Sequence, residues 1–489
     1  MSEPAIAPVP RRLHPATLVA RWLRIVPQMG AAGIAILATG RGTGITFFLL
    51  FLAFALAVGA LFAFLYWWRF TYVVGVNEIV IEKGLLRRQR RVIPFDRVQD
   101  IAVEQRLLAR LFGTAKVKIE TGGAAKDEGS LDMIAIADAR ALRDLVRHGP
   151  RAADVAAQAP VEEPVLFEMG LARLLYSGLF GFSLVFLAVI SGALQQLDQL
   201  GLFNWSDWFT PERADQAAHF VTLRLAFILV GLVLALGLIA GVARTAARDF
   251  GFKLTRTEKG LRRKRGLFTL SEVVIPLRRT QVALIESGAI GRLLGWYRLS
   301  FQTLGADQKE GGVQVAAPFA RMEEILPILA IAGFPEPPPR QDFRGVPRRA
   351  IVRQAAPALA LGALAVAASL WFDARAGIVA AALLVLAILA VLRWRKHARA
   401  LGDRALFVSS GLLKRRLWIV PYEKAQTIQV SRGPIQRALK LSNLLLDTAG
   451  SGSLRSPEMH DLDEGEAEQM AGRLLALFYD ARARVRATA

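Results

Sequence analysis

The sequence predicts an integral membrane protein in which three pairs of transmembrane helices alternate with three small α+β domains. Long apolar runs, a basic excess and an internal repeat predict it. Hydrophobic residues make up 53% of the 489, and 62 Lys+Arg against 41 Asp+Glu give a net charge of +21. Basic residues flanking apolar runs fit a membrane protein with basic cytoplasmic parts, so nucleic acid is not expected as a partner. The absence of cysteine closes disulfide scaffolds and thiol or thiolate chemistry.

A bilayer-spanning helix needs about 20 mostly apolar residues. After an N-terminal segment, 1–24, the first transmembrane pair takes 25–68, with spans at 25–39 and 45–68. A first domain follows at 69–150 and an Ala/Pro/Glu-rich linker at 151–169. The second pair takes 170–243, with spans at 171–194 and 221–243 around a loop at 195–220, and the second domain is 244–334. A Pro-rich linker at 335–354 leads to the third pair, 355–392, with spans at 355–372 and 376–392, and to the third domain, 393–489. The runs at 25–39, 355–372 and 376–392 are the shorter ones, open to a buried or re-entrant reading. Arg11, Arg12, Arg21, Arg24, Arg69, Arg244 and Arg248 flank the spans on one side, whereas Asp198, Asp207, Glu212 and Asp215 lie in the 195–220 loop. The positive-inside bias therefore places the domains and both termini in the cytoplasm.

The three domains repeat one motif in register. They read Ile93-Pro94-Phe95-Asp96-Arg97-Val98-Gln99, Ile275-Pro276-Leu277-Arg278-Arg279-Thr280-Gln281 and Val420-Pro421-Tyr422-Glu423-Lys424-Ala425-Gln426. Counted from the proline, a glycine recurs at −10 (Gly84, Gly266, Gly411) and an arginine at +16 (Arg110, Arg292, Arg437). Gly113 and Gly295, at +19, give way to Lys440, so a left-handed or close-packed turn is expected to be lost there. Within each copy the pattern predicts strands at 72–82, 88–93 and 117–121, a short helix over 105–112 and a closing amphipathic helix at 137–146, with 319–331 and 464–478 closing the other copies.

Two spans, a turn glycine, a basic strand, Ile-Pro-x-x-Arg-x-Gln, Arg-Leu-x-Gly and a strand ending near Thr-x-Gly resemble the bacterial pleckstrin-homology (PH) membrane proteins of the YdbS/YdbT type. With three copies the chain is most similar to the YdbT branch. The resemblance implies, for each domain, a seven-stranded, strongly bent antiparallel sheet with a C-terminal helix. It also implies a bacterial inner (plasma) membrane location and a part in envelope stress or antimicrobial resistance.

Two residue groups are candidates for function. Arg87, Arg88, Arg90 and Arg91, then Arg262, Arg263, Lys264 and Arg265, then Lys414, Arg415 and Arg416 form a basic hairpin in each copy. Beside a membrane, each such cation gains about 1 kcal/mol from anionic headgroups, so lipid phosphate or an acidic partner is expected, against the plainer reading of a solvated strand face. The repeated Pro94, Arg97, Gln99 and Arg110, Pro276, Arg279, Gln281 and Arg292, and Pro421, Lys424, Gln426 and Arg437 read as structural. In that reading the glutamine serves nearby backbone, the +3 arginine pairs Glu104 or Glu286, and the proline takes an edge or bulge position. His14, His148, His219, His397 and His460 are scattered without ligand spacing, and no phosphate loop or nucleophile elbow occurs. No metal, cofactor or enzyme activity is expected. The expected function is a membrane scaffold binding lipids or protein partners, a second copy of itself among them; the competing class is a catalytic or transport subunit of an envelope complex.

Overall fold

The computed structural model describes residues 10–23, 45–84, 87–121, 129–148, 163–180, 221–258, 260–304, 312–371, 376–449 and 457–488. Its contacts form two units. One holds Met1–Glu163, Glu168–Lys253 and Arg263–Val274; the other holds Pro164–Phe167, Leu254–Arg262 and Ile275–Ala489. The middle repeat is divided between them, and each part is described with its own unit.

Repeat 1 runs β1 (Arg11–Arg12), α1 (Ile45–Arg69), β2 (Thr71–Val74), β3 (Glu78–Lys83), β4 (Gln89–Pro94), a 3₁₀ turn (Phe95–Arg97), β5 (Val98–Arg106), α2 (Leu107–Leu111), β6 (Thr114–Thr121), β7 (Ser130–Ala135) and α3 (Ile136–His148). Repeat 2 follows as β8 (Val165–Glu168), α4 (Leu171–Leu179), α5 (Val221–Asp249), β9 (Lys253–Thr257), β10 (Gly260–Arg265), β11 (Thr269–Pro276), a 3₁₀ turn (Leu277–Arg279), β12 (Thr280–Gly288), α6 (Ala289–Leu293), β13 (Tyr297–Thr303), β14 (Val313–Ala320) and α7 (Met322–Ile331). Repeat 3 consists of β15 (Arg344–Gly345), α8 (Arg349–Trp371), α9 (Ala376–Trp394), β16 (Ala398–Leu401), β17 (Ala405–Ser410), β18 (Lys414–Pro421), a 3₁₀ turn (Tyr422–Lys424), β19 (Ala425–Ser431), α10 (Pro434–Ala438), β20 (Leu441–Thr448), β21 (Glu458–Asp463) and α11 (Glu464–Thr488).

In the first unit β1-β2-β3-β4 make one antiparallel sheet and β5, β6 and β7 begin another, with the 3₁₀ turn between them. The motif proline closes β4, β11 and β18 as their last residue, where its missing N–H removes no interior ladder bond. Apolar residues alternate into one core from both sheets and the closing helix: Ile79, Ile81 and Ile93, Ile101 and Val117, Leu131 and Leu142, with Leu13 and Phe70. Repeat 3 builds the same core from Val408, Trp418, Val420, Leu444, Met459, Leu462 and Leu474.

The seven strands of a repeat therefore do not form the single bent sheet that the resemblance implies. The second sheet of one repeat instead continues into the first sheet of the next. In the first unit β5 pairs antiparallel with β11 as well as with β6. In the second unit the order is β14-β13-β12-β18-β17-β16-β15, with β19-β20-β21 apart. The first strand of repeats 1 and 3 lies before the helices: Arg11–Arg12 pairs with β2, and Arg344–Gly345, inside the expected Pro-rich linker, pairs with β16.

Among the described residues two helices are long and apolar enough to cross a membrane, Leu49–Arg69 and Arg349–Ala367, and Leu383–Trp394 is a shorter apolar helix. The expected span at 25–39 and loop at 195–220 lie outside the described residues, as does most of the span at 171–194. Where α4 and α5 meet, a Cβ on Gly178 would stand 2.6 Å from the Val242 Cα, so only glycine permits this approach.

Candidate functional site

Sequence spacing places the basic hairpins on strands, and strand alternation then separates their side chains. On β10, Arg263 and Arg265 turn inward, at 1% and 8% exposure, while Lys264 stays exposed and Arg262 is half-buried. Arg265 donates to Asp249 Oδ1 at 3.1 Å, and Arg248 reaches Oδ2 of the same carboxylate at 2.7 Å. Asp249 ends α5, so this buried ion pair ties the hairpin to the helix. Arg263 and Arg265 therefore lie inside the fold rather than on a solvated strand face, and Asp249 answers the charge of Arg265 there.

The hairpin turn is fixed to the same helix end by backbone. Gly266 N–H donates to Phe250 O at 2.8 Å and Leu267 N–H to Ala247 O at 3.1 Å. Gly266 takes φ +118°, and a Cβ there would meet Thr269 O at 1.9 Å. Arg110, in the last turn of α2, donates from Nη1 to Leu267 O at 3.1 Å. Beside these contacts Leu111, Phe112 and Phe268 are exposed, Leu111 at 78%. The second unit repeats the apolar tip: Leu293, at 85%, ends α6, exposed Leu294 follows it, and Leu413 is exposed in the β17–β18 turn.

At the β12–β18 junction Glu286 receives Lys414 Nζ at 2.9 Å and Arg416 Nε at 3.2 Å. Burial raises the Glu286 carboxyl, but the Lys414 hydrogen bond and the charges of Lys414, Arg298 and Arg416 outweigh it and hold the group below the usual carboxylate range. The basic strand of repeat 3 thus answers the acid of the neighbouring repeat. At the β5–β11 junction Arg143 of α3 reaches Glu272 at 2.5 Å. Arg87, Arg88 and Arg90 are exposed and Arg91 is half-buried on β4, where Arg90 meets Glu82 at 3.5 Å.

The motif glutamines diverge. Gln281 is buried and donates Nε2 to Arg279 O at 3.1 Å, whereas Gln426 is exposed; the Gln99 side chain lies outside the described residues. Arg97 is exposed, and Lys424 Nζ donates to Arg278 O at 3.5 Å. Glu104 takes Lys118 at 2.6 Å, and Glu286 takes Lys414 and Arg416. Arg110, Arg292 and Arg437 sit in the last turns of α2, α6 and α10, where the helix C-terminus favours a cation.

Two devices went unread in the sequence. Trp67 and Trp394, at matched ends of α1 and α9, donate their indole N–H to Leu13 O at 2.7 Å and to Val346 O at 3.1 Å, tying helix end to preceding strand. Only their helix-terminal placement marks them, and that reads equally as an interfacial anchor. In repeat 3, Asp461 is fully buried with φ +59° and accepts from Arg353 Nη2 at 2.5 Å, Gln354 Nε2 at 2.9 Å and Gln436 Nε2 at 2.8 Å. Burial raises this carboxyl, but the three donors prevail and lower it. Repeat 1 fills the matching place with apolar groups, Met133 (φ +55°) clustering with Ala16, Ala20 and Ala109. No group of three His, Asp or Glu that could hold a metal occurs among the described residues.

Apolar helices that end in buried ties to small two-sheet repeats define a membrane-anchored repeat protein. The profile of the bacterial PH domain matches residues 23–149, 186–330 and 355–478, most of the sequence, and the chain belongs to that family. It is 24% identical over 495 residues to the UPF0699 transmembrane protein YdbT of Bacillus subtilis strain 168, covering 94% of this chain and 96% of that protein. No solved structure matches it.

Proposed function

We propose that the protein is a non-enzymatic scaffold of the bacterial plasma membrane whose cytoplasmic PH-like repeats hold a rim of apolar tips and cations against anionic lipid headgroups. The observation that carries this reading is the tie between the β10–β11 turn and the end of α5, which keeps Leu111, Phe112 and Phe268 beside a helix terminus together with Arg110 and Lys264. An apolar tip flanked by basic groups suits the headgroup boundary, where the ring or leucine enters and the cation meets phosphate. Arg263 and Arg265, being buried, and Lys414 and Arg416, being committed to Glu286, are no part of it.

The test uses the full chain, purified in mild detergent with its native lipid. Arg110→Gln combined with Lys264→Gln should lower the phosphatidylglycerol and cardiolipin retained per chain, and retention by the unaltered protein should fall as salt rises. Retention that ignores both the substitutions and salt contradicts the reading.

A further inference from the structure

The two inter-repeat junctions use one register. Counted from each motif proline, residue +12 of the receiving strand faces −7 of the incoming strand both times: Arg106 opposite Thr269, and Gly288 opposite Lys414. Position +10 likewise faces −5, as Glu104 opposite Ser271 and Glu286 opposite Arg416. A junction of this kind needs a receiving strand from the second sheet of one repeat and an incoming strand from the first sheet of another. Repeat 1 supplies β4, an incoming strand whose one sheet neighbour among the described residues is β3. Repeat 3 supplies β19, a receiving strand whose one sheet neighbour among the described residues is β20.

We propose that β4 of one copy pairs antiparallel with β19 of a second copy in this same register, so that chains associate head to tail. Ser431 then faces Gln89, Val430 faces Arg90, Gln429 faces Arg91, and Ile428 faces Val92. The last pair covers Val92, which is 47% exposed in the single chain. Charge agrees with a second copy as the occupant. The incoming strand and its turn carry Arg87, Arg88, Arg90 and Arg91, while beside β19 the start of α11 places both Glu464 and Glu468 around the one guanidinium of Arg432. The Glu468 side chain remains 63% exposed. At the first junction a closing helix likewise reaches position −4 of the incoming strand, as Arg143 to Glu272, so Arg90 at −4 meets an acidic helix with the charges reversed. An unlike pair of edges gives a heterologous interface, which closes into a ring or extends as a row. The residues differ from those of the lipid rim, so either idea can fail alone.

Because the chain lacks cysteine, the register can be read by disulfide trapping. Full chains carrying Gln89→Cys and Ser431→Cys separately, bearing different tags, are co-expressed and oxidised in native membrane. A crosslinked heterodimer is expected, at least tenfold above Gln89→Cys with a cysteine-free chain and above the displaced combination Arg91→Cys with Ser431→Cys. Arg90→Glu should weaken the crosslink and Glu468→Arg in the partner chain should restore it. Absence of the heterodimer, which leaves the arginines as a guard against edge pairing, overturns the proposal. Equal trapping of Gln89→Cys with itself, or capture of Ser431→Cys by a different protein, overturns it too.

Discussion

Lys440, between α10 and β20, sits in the left-handed region of backbone space. Its replacement of the glycine at +19 predicted a lost left-handed turn, yet Lys440 keeps φ +52°, close to the +61° and +72° of Gly113 and Gly295. The turn between short helix and strand is imposed by packing on both sides, and the side chain bears the strain. Lys440→Gly should therefore stabilise repeat 3 by about 1 kcal/mol, the cost of a Cβ in that conformation, seen as a raised Tm of the full chain in detergent. Burial acts on His397 in the same repeat. Half-buried, it is lowered to about 4 by the desolvation of its charged form, with the charges of His460 and Arg399 also opposing protonation. The unfolded chain then binds the proton first, so this contribution is present above pH 6.5 and is lost as pH falls from there to about 4. His397→Leu should flatten the loss of stability across that window, on the order of 3 kcal/mol, while the fall below pH 4 from Asp461, whose carboxyl is lowered, persists. An unchanged slope between pH 6.5 and 4 contradicts the assignment. Gln281 was legible as a backbone-binding residue; Asp461 was not, because its donors come from residues about 25 and 107 positions away.

Elements divide between those set by local pattern and those set by a distant partner. The closing helices, β6 and the proline-ended strands followed from periodicity and punctuation. The two-residue strands before the helices did not, since Arg11–Arg12 and Arg344–Gly345 carry no β-pattern and exist only because β2 and β16 offer an edge. Basic hairpins were legible as charge but not as burial: Arg265 is inside and Lys414 outside for reasons fixed by Asp249 and Glu286. The two acids should consequently behave differently. Asp249→Ala leaves Arg265 buried without its carboxylate and should cost about 3–5 kcal/mol. Glu286→Ala removes an acid whose partners are half exposed and can turn to solvent, Lys414 at 53% and Arg416 at 50%, and should cost no more than about 1 kcal/mol. Urea unfolding of the two variants measures both, and equal losses contradict the ranking.

For the whole molecule, triplication and membrane character were legible because both are written in composition and spacing. The junctions were not, because pairing between repeats depends on which sheet edges remain after each repeat has folded. The proposed cytoplasmic placement and the lipid rim stand on the basic flanks and on the apolar tips of α2 and α6. Depth of those tips tests the account most directly. Spin labels at Leu111→Cys, Phe268→Cys and Leu293→Cys in the full chain, reconstituted in anionic vesicles, should be shielded from a water-soluble nickel relaxant and open to oxygen, placing them at the headgroup–acyl boundary. A label at Arg482→Cys, on the exposed far part of α11, should show full nickel access. Nickel access at the three tips equal to that at 482 would contradict the membrane-facing rim.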